Sequence, residues 1–183
     1  MATPRRIYRI YEKLAQNAEE IRGFVAAKGE KSGTLDLLVK GDRAKLLTRW
    51  AEEMDELCGV LDGTHNDSYL MEATQTFYWA SLFAVSGGVT WEQLNFNDVR
   101  RQAATTKLDD VPAVRAVIAR ILAMAPETVK PEKLFLVWNA TDWIYRRKTL
   151  EDKQWSLEQL MEADLQDMKK RWYLEAIIAE IAD

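Results

Sequence analysis

The sequence predicts an all-α fold, and three observations lead there. Glycine and proline are few, at 8 and 4 of 183 residues. Apolar residues recur at helical spacing, and no stretch alternates in the β-branched pattern of a half-buried strand. Capping residues and glycines punctuate the periodic segments where helices should start and stop.

The elements follow in chain order. From Pro4 to Lys28, the residues Ile7, Ile10, Leu14, Ala18, Ile21 and Val25 form one stripe, so a single first helix is expected. Residues 29–33 read as a loop. A second helical stretch runs from Leu35 to Leu61, with an interruption expected near Gly41-Asp42, where Asp42 supplies an N-cap. Gly63-Thr64-His65-Asn66-Asp67 is the turn into Tyr69–Ser86, an apolar helix whose sole charge is Glu72. So short a connection makes these two helices antiparallel neighbours. Gly87-Gly88 stops the apolar helix. Thr90 caps a short helix through Leu94, and Asn97–Lys107, Pro112–Met124, Pro131–Leu150 and Trp155–Ala182 complete the set. Pro112 and Pro131 fall at or near first-turn positions, where proline is tolerated. Ala125–Lys133 is the best linker candidate in what otherwise reads as one domain over 1–183.

Composition removes several function classes. Hydrophobic residues make up 48%, enough for a sizeable core. The net charge is -4 and Lys/Arg form no sustained stripe, so binding to a nucleic-acid polymer is not expected. Cys58 is the single cysteine, which rules out an intrachain disulfide and suits a cytoplasmic setting. It reads as a small apolar filler. The first ten residues have no apolar core, so no signal peptide is expected. Tyr69–Ser86 approaches the length of a bilayer span, but Glu72, Gln75 and its hydroxyl residues favour a buried core helix over a membrane. Neither Gly-x-Ser-x-Gly nor Gly-x-x-x-x-Gly-Lys is present, so serine-hydrolase and P-loop chemistry have no motif.

The remaining signal is acidic. Glu52-Glu53-Met54-Asp55-Glu56 lies on the helix before the turn and Glu72 on the helix after it. On a wheel of about 100° per residue, Trp50, Met54, Leu57 and Leu61 form the core stripe. Glu53 sits at its edge, and Glu52 and Glu56 lie further round, so one side can present three carboxylates to a neighbour. On the next helix Glu72 and Gln75 share a side with Thr76, Trp79 and Phe83. A buried carboxylate is tolerated when it is paired or binds a cation. Glu72 therefore reads either as a partner of a basic residue such as Arg49 or as a ligand. Oxygen donors from two antiparallel helices suit a hard divalent cation, Mg²⁺ or Mn²⁺. A di-iron carboxylate centre would need Glu-x-x-His pairs, and the one histidine, His65, is read as a turn residue.

These residues resemble the MazG-like all-α nucleotide pyrophosphohydrolases, whose signature is Glu-Glu-x-x-Glu on one helix and Glu-x-x-Asp on the next. The resemblance covers about residues 43–101, and Gln75 stands where the family has Asp. It implies an antiparallel helical bundle with a core of about residues 35–110, extended by C-terminal helices over about 111–183. It implies a metal held by Glu53, Glu56, Glu72 and Gln75, with Glu52 positioning or deprotonating the attacking water. It also implies a nucleoside triphosphate substrate, cleaved to a monophosphate and pyrophosphate, and a homo-oligomer that completes the cleft. Asn97, Arg100 and Arg101 are the nearest match to the family's phosphate-binding residues, and equally fit a solvated amphipathic helix. Trp79, one turn beyond Gln75, is placed to abut a base. The alternative is a non-catalytic helical interaction protein with a degenerate metal site, and Gln75 is the feature that supports it. Trp138, Trp143, Trp155 and Trp172 read as packing residues, and Arg146-Arg147-Lys148 as a favourable charge set at a helix C-terminus.

Overall fold

The structure, a computed structural model, describes residues 2–182, and these are helical with no strand among them. The helices are α1 (Pro4–Gln16), α2 (Ala18–Ala27), α3 (Gly33–Lys40), α4 (Arg43–Asp62), α5 (Tyr69–Ser86), α6 (Trp91–Leu94), α7 (Phe96–Ala103), α8 (Val111–Leu122), α9 (Pro131–Lys148), α10 (Leu157–Met168) and α11 (Glu175–Glu180). No helix among the described residues is long and apolar enough to cross a membrane.

Side-chain caps set most of the helix starts. Thr3, Ser32, Asp42, Ser68, Thr90, Asp110 and Ser156 each accept a hydrogen bond from a backbone N–H two to three residues into the helix. Each such cap stabilises by about 1 kcal/mol. Gly41 and Gly63 end α3 and α4 in the left-handed conformation, at φ of 61° and 81°.

Three expectations are corrected. The first helix is broken at Asn17, whose side-chain amide donates to the Lys13 carbonyl and whose φ and ψ, -115° and 13°, are not helical. The final stretch is also broken: α10 stops at Met168, and a 3₁₀ turn at Trp172–Leu174 leads into α11. Residues 125–133 are not a free linker. They hold a 3₁₀ turn at Pro126–Thr128, Val129 is buried, and its carbonyl accepts from Arg43.

Helix α5 lies at the centre and packs against α4, α9, α10 and α1. This explains its near-uniform apolarity, since a helix covered on most sides has little face left for solvent. Phe77 on α5 meets Phe135 and Trp138 of α9 edge to face, with centroids 5.5 and 5.3 Å apart, and Phe96 closes the cluster. The Trp138 indole N–H donates to the Ala73 carbonyl at 2.9 Å. Helices α4 and α5 run antiparallel. Arg43, at the start of α4, donates to the Phe83 carbonyl near the end of α5 at 2.9 Å. That register brings the end of α4 beside the start of α5, where the acids lie.

Candidate metal centre

The acidic run on α4 is divided among three neighbours. Arg49, one turn earlier, bonds Glu52 and reaches Glu53 at 2.6 Å. From α8, Arg115 reaches Asp55 at 2.8 Å and Asp62 at 2.6 Å. Glu56 is left for the turn and for α5. Arg49 therefore does not pair with Glu72, and the arginine-partner reading of Glu72 is corrected.

Glu72 lies in the first turn of α5 and is fully buried. Neither carboxylate oxygen has a hydrogen-bond partner among the described residues. Burial, reinforced by the negative charges of Glu56 and Glu53, pushes its pKa up to about 7. Glu53 is also shifted upward by burial, although Arg49 opposes the shift.

What faces Glu72 is His65. Its Nε2 is 3.5 Å from Glu72 Oε1, 4.0 Å from Glu56 Oε2 and 2.9 Å from Asp67 Oδ2. None of these contacts has hydrogen-bond geometry, so the buried Nε2 is unsatisfied alongside both Glu72 oxygens. One ligand atom each from Glu56, His65 and Glu72 lie within 4.8 Å of one another. This is the one such cluster of three His, Cys, Asp or Glu among the described residues. Three unsatisfied buried atoms, the two Glu72 oxygens of α5 and His65 Nε2 of the turn, face the exposed Glu56 of α4, and together these groups are a donor set that a divalent cation would complete.

The turn reaches this position because of Gly59. The Thr64 and His65 amides both donate to the Gly59 carbonyl, at 2.9 and 3.1 Å, so the chain folds back onto α4. A Cβ at Gly59 would come 2.7 Å from the His65 Cβ. A glycine inside a helix costs about 1 kcal/mol relative to alanine, and here it admits the turn. His65 escaped the sequence reading because a turn residue carries no periodic signal. The available clue was a lone histidine in a five-residue turn between two acid-bearing helices.

The other candidates are dispersed. Trp79 and Gln75 line a cavity of about 530 Å³ together with Arg49 and residues of α10. The Arg49 guanidinium lies 5.2 Å from the Trp79 ring centre. Glu52 is exposed beside Arg49, and Glu53 is buried outside the three-group cluster. Arg100 is held inside the protein by Asn139 at 2.7 Å and Asp142 at 2.9 Å. Asn97 is exposed, and Arg101 is exposed and paired with Asp98. The Arg146-Arg147-Lys148 set is anchored to protein groups: Asp142, the Asp109 carbonyl and the Leu61 carbonyl. Of the tryptophans read as packing residues, Trp138 is buried, whereas Trp155 and Trp172 are exposed. Cys58 is buried, and burial pushes its thiol up to about 12, so it is an apolar filler rather than a nucleophile.

Comparisons of the chain with protein-family models, with curated proteins and with solved structures find no match.

Proposed function

We propose that this protein is a divalent-cation-dependent hydrolase of nucleotide phosphate anhydrides, releasing a nucleoside monophosphate and pyrophosphate. The observation that carries the reading is the convergence of Glu72, with both oxygens unpartnered, on Glu56 and His65. The donor set of two carboxylates and an imidazole fits Mn²⁺ better than Mg²⁺, because imidazole suits transition metals and Mg²⁺ prefers oxygen throughout. Glu56, His65 and Glu72 would hold the cation, with Glu53 behind them and Gln75 one turn along α5. When bound, a cation there neutralises phosphate charge and lowers the pKa of a coordinated water. The chain supplies the rest. Glu52, exposed and beside Arg49, accepts the proton of the attacking water. Arg49, between the acids and the cavity, offers its guanidinium to phosphate oxygens.

The test is pyrophosphate release from a panel of nucleoside triphosphates with Mn²⁺ or Mg²⁺, against a Glu53→Ala control. A second reading, a non-catalytic helical interaction protein, is favoured by Gln75 and by Arg49, which neutralises two of the acids. Turnover separates the two readings: a hydrolase releases pyrophosphate above the control, and Gln75→Asp, a change in the wall of the substrate cavity, alters that rate. An interaction module releases no pyrophosphate above the control in either form.

A further inference from the structure

A second buried carboxylate lies in the wall of the cavity between α5 and α10. Asp164, on α10, is 4% exposed. Its Oδ1 accepts the Tyr11 hydroxyl at 2.7 Å, and its Oδ2 is buried with no partner among the described residues. Asp164 lines the same cavity as Gln75, Trp79 and Arg49. A cavity of about 530 Å³ is within the range of small-ligand sites, about 300–1,000 Å³. Its lining combines an aromatic face, an amide, Arg49, Lys170 and Arg171 paired with Asp167, and one unsatisfied acceptor.

Each part restricts the ligand. The tryptophan offers a stacking surface for a flat ring. Arg49 links the cavity to the acidic centre and suits a phosphate. When Asp164 is ionised its free oxygen asks for an N–H donor, because that form only accepts. A carbonyl oxygen placed against it would leave two acceptors facing each other in a buried site.

We propose that the α5/α10 cavity binds nucleotides whose base carries an exocyclic amino group, cytosine or adenine, with Asp164 accepting from that group. The proposal rests on the nucleotide-hydrolase function above and adds the selectivity of its binding site. Asp164 is then a specificity-determining residue contributed by the C-terminal helices, outside the segment with the acidic motif.

The experiment uses the full chain at a pH above the range in which Asp164 titrates, with chelator and no divalent cation, so that binding depends on the cavity and an ionised Asp164. Calorimetric titrations with cytidine, uridine, adenosine and inosine 5′-monophosphates pair an amino group against a carbonyl on the same ring position. Cytidine and adenosine monophosphates should bind about tenfold or more tightly than their carbonyl counterparts. In Asp164→Asn the amide oxygen keeps the Tyr11 hydroxyl, and the amide NH₂ takes the place of Oδ2. The preference should then reverse toward uridine and inosine monophosphates. Gln75→Leu, a change at a half-buried wall position, should weaken all four ligands and leave the order unchanged. It provides a second readout if Asp164→Asn does not fold, as judged by circular dichroism. No binding of any monophosphate, equal binding of the paired bases, or a preference that Asp164→Asn leaves untouched would each overturn the proposal. Pyrophosphate release with Mn²⁺ is measured separately, so the hydrolase reading and the base selectivity can fail independently.

Discussion

Two fully buried carboxylates, Glu72 and Asp142, are treated in opposite ways. Asp142 on α9 accepts from the Tyr69 hydroxyl, from Arg100 and from Arg146, each at 2.9 Å. Asn139, one turn earlier, takes the other arm of Arg100. Tyr69 is stacked on Tyr145, 3.5 Å between ring centres, which covers the network from the apolar side. Glu72, three residues from Tyr69, has no such partner. Desolvating a carboxylate costs several kcal/mol in either place. At Asp142 two guanidinium groups and a hydroxyl offset that cost, so the residue ties α5, α7 and α9 together. At Glu72 only the His65 imidazole opposes it, against the charges of Glu56, Glu53 and Asp67. A buried charge that is satisfied is architecture; one left unsatisfied beside further ligand groups is a candidate site.

The comparison can be broken most forcefully at Asp142. Asp142→Asn leaves Arg100 and Arg146 half-buried without their counter-charge, so unfolding free energy should fall by about 3–5 kcal/mol. Urea denaturation at neutral pH measures it. A loss below about 1 kcal/mol would mean the network contributes little and the contrast with Glu72 is empty.

Asp164 sharpens the contrast because it is half satisfied, with one oxygen held by Tyr11 and the other free. Burial pushes its pKa up to about 7; the charge of Asp167 adds to this, and Tyr11 and Arg171 oppose it. The folded protein therefore binds a proton more tightly than the unfolded chain between about pH 4 and 7. Its contribution to stability is full at low pH and is lost as pH rises through 7. Asp164→Asn should gain on the native protein by about 2–4 kcal/mol over that window, with no further gain above it. Denaturation midpoints of both proteins from pH 5 to 8 test the sign. A difference that is constant with pH shows that Asp164 does not titrate there.

Glu72 itself should behave unlike Asp142. Glu72→Gln removes a buried charge that the surrounding acids oppose more than His65 compensates, so the cation-free protein should be as stable as the native one or more so. If Mn²⁺ binds as proposed, its stabilisation of about 2.7 kcal/mol at 100 times Kd should vanish. Thermal scans with cation and with chelator report both quantities. A marked loss of cation-free stability would place Glu72 with Asp142 as a structural residue.

The smallest expected effect is at Gly59. Gly59→Ala adds about 1 kcal/mol of helix propensity and forces the His65 Cβ away from a 2.7 Å approach. The net change in cation-free stability should stay within about 1 kcal/mol. The Mn²⁺-induced rise in melting temperature should nonetheless shrink, because the imidazole is displaced. An unchanged rise would show that His65 is not a ligand.

The sequence disclosed α5 to the residue, because Ser68 and Gly87 bracket an uninterrupted apolar run and that run has one place to go, the centre. It disclosed that α4 and α5 bring acids together. The break at Asn17 was hidden because the apolar stripe continues across it, while the interruption is made by the asparagine's own amide. The site was legible in part. Glu56 and Glu72 were visible as acids near a turn, but His65 enters by a loop folding back on Gly59, which helical periodicity does not report. Asp142 was invisible for a different reason. Its partners Tyr69 and Arg100 are 73 and 42 residues away, and an isolated acid in a charged helix carries no mark of burial.

The Tyr11–Asp164 bond has a consequence for the order in which the molecule is made. It joins residues 153 apart, and the Ala2 amide likewise donates to Glu162 across 160 positions. Helices α4 and α5 meet across a six-residue connection, so the Glu56–His65–Glu72 cluster closes a short loop and can form while the chain is still being synthesised. The cavity cannot form then, since α10 emerges well after α5 and must return to pack on α5 and α1. Contacts of such long sequence separation form late and slowly. Pulse-labelled hydrogen exchange during refolding should protect α4 and α5 before α1 and α10. The Glu56–His65–Glu72 cluster would then be in place before the α5/α10 cavity has its second wall.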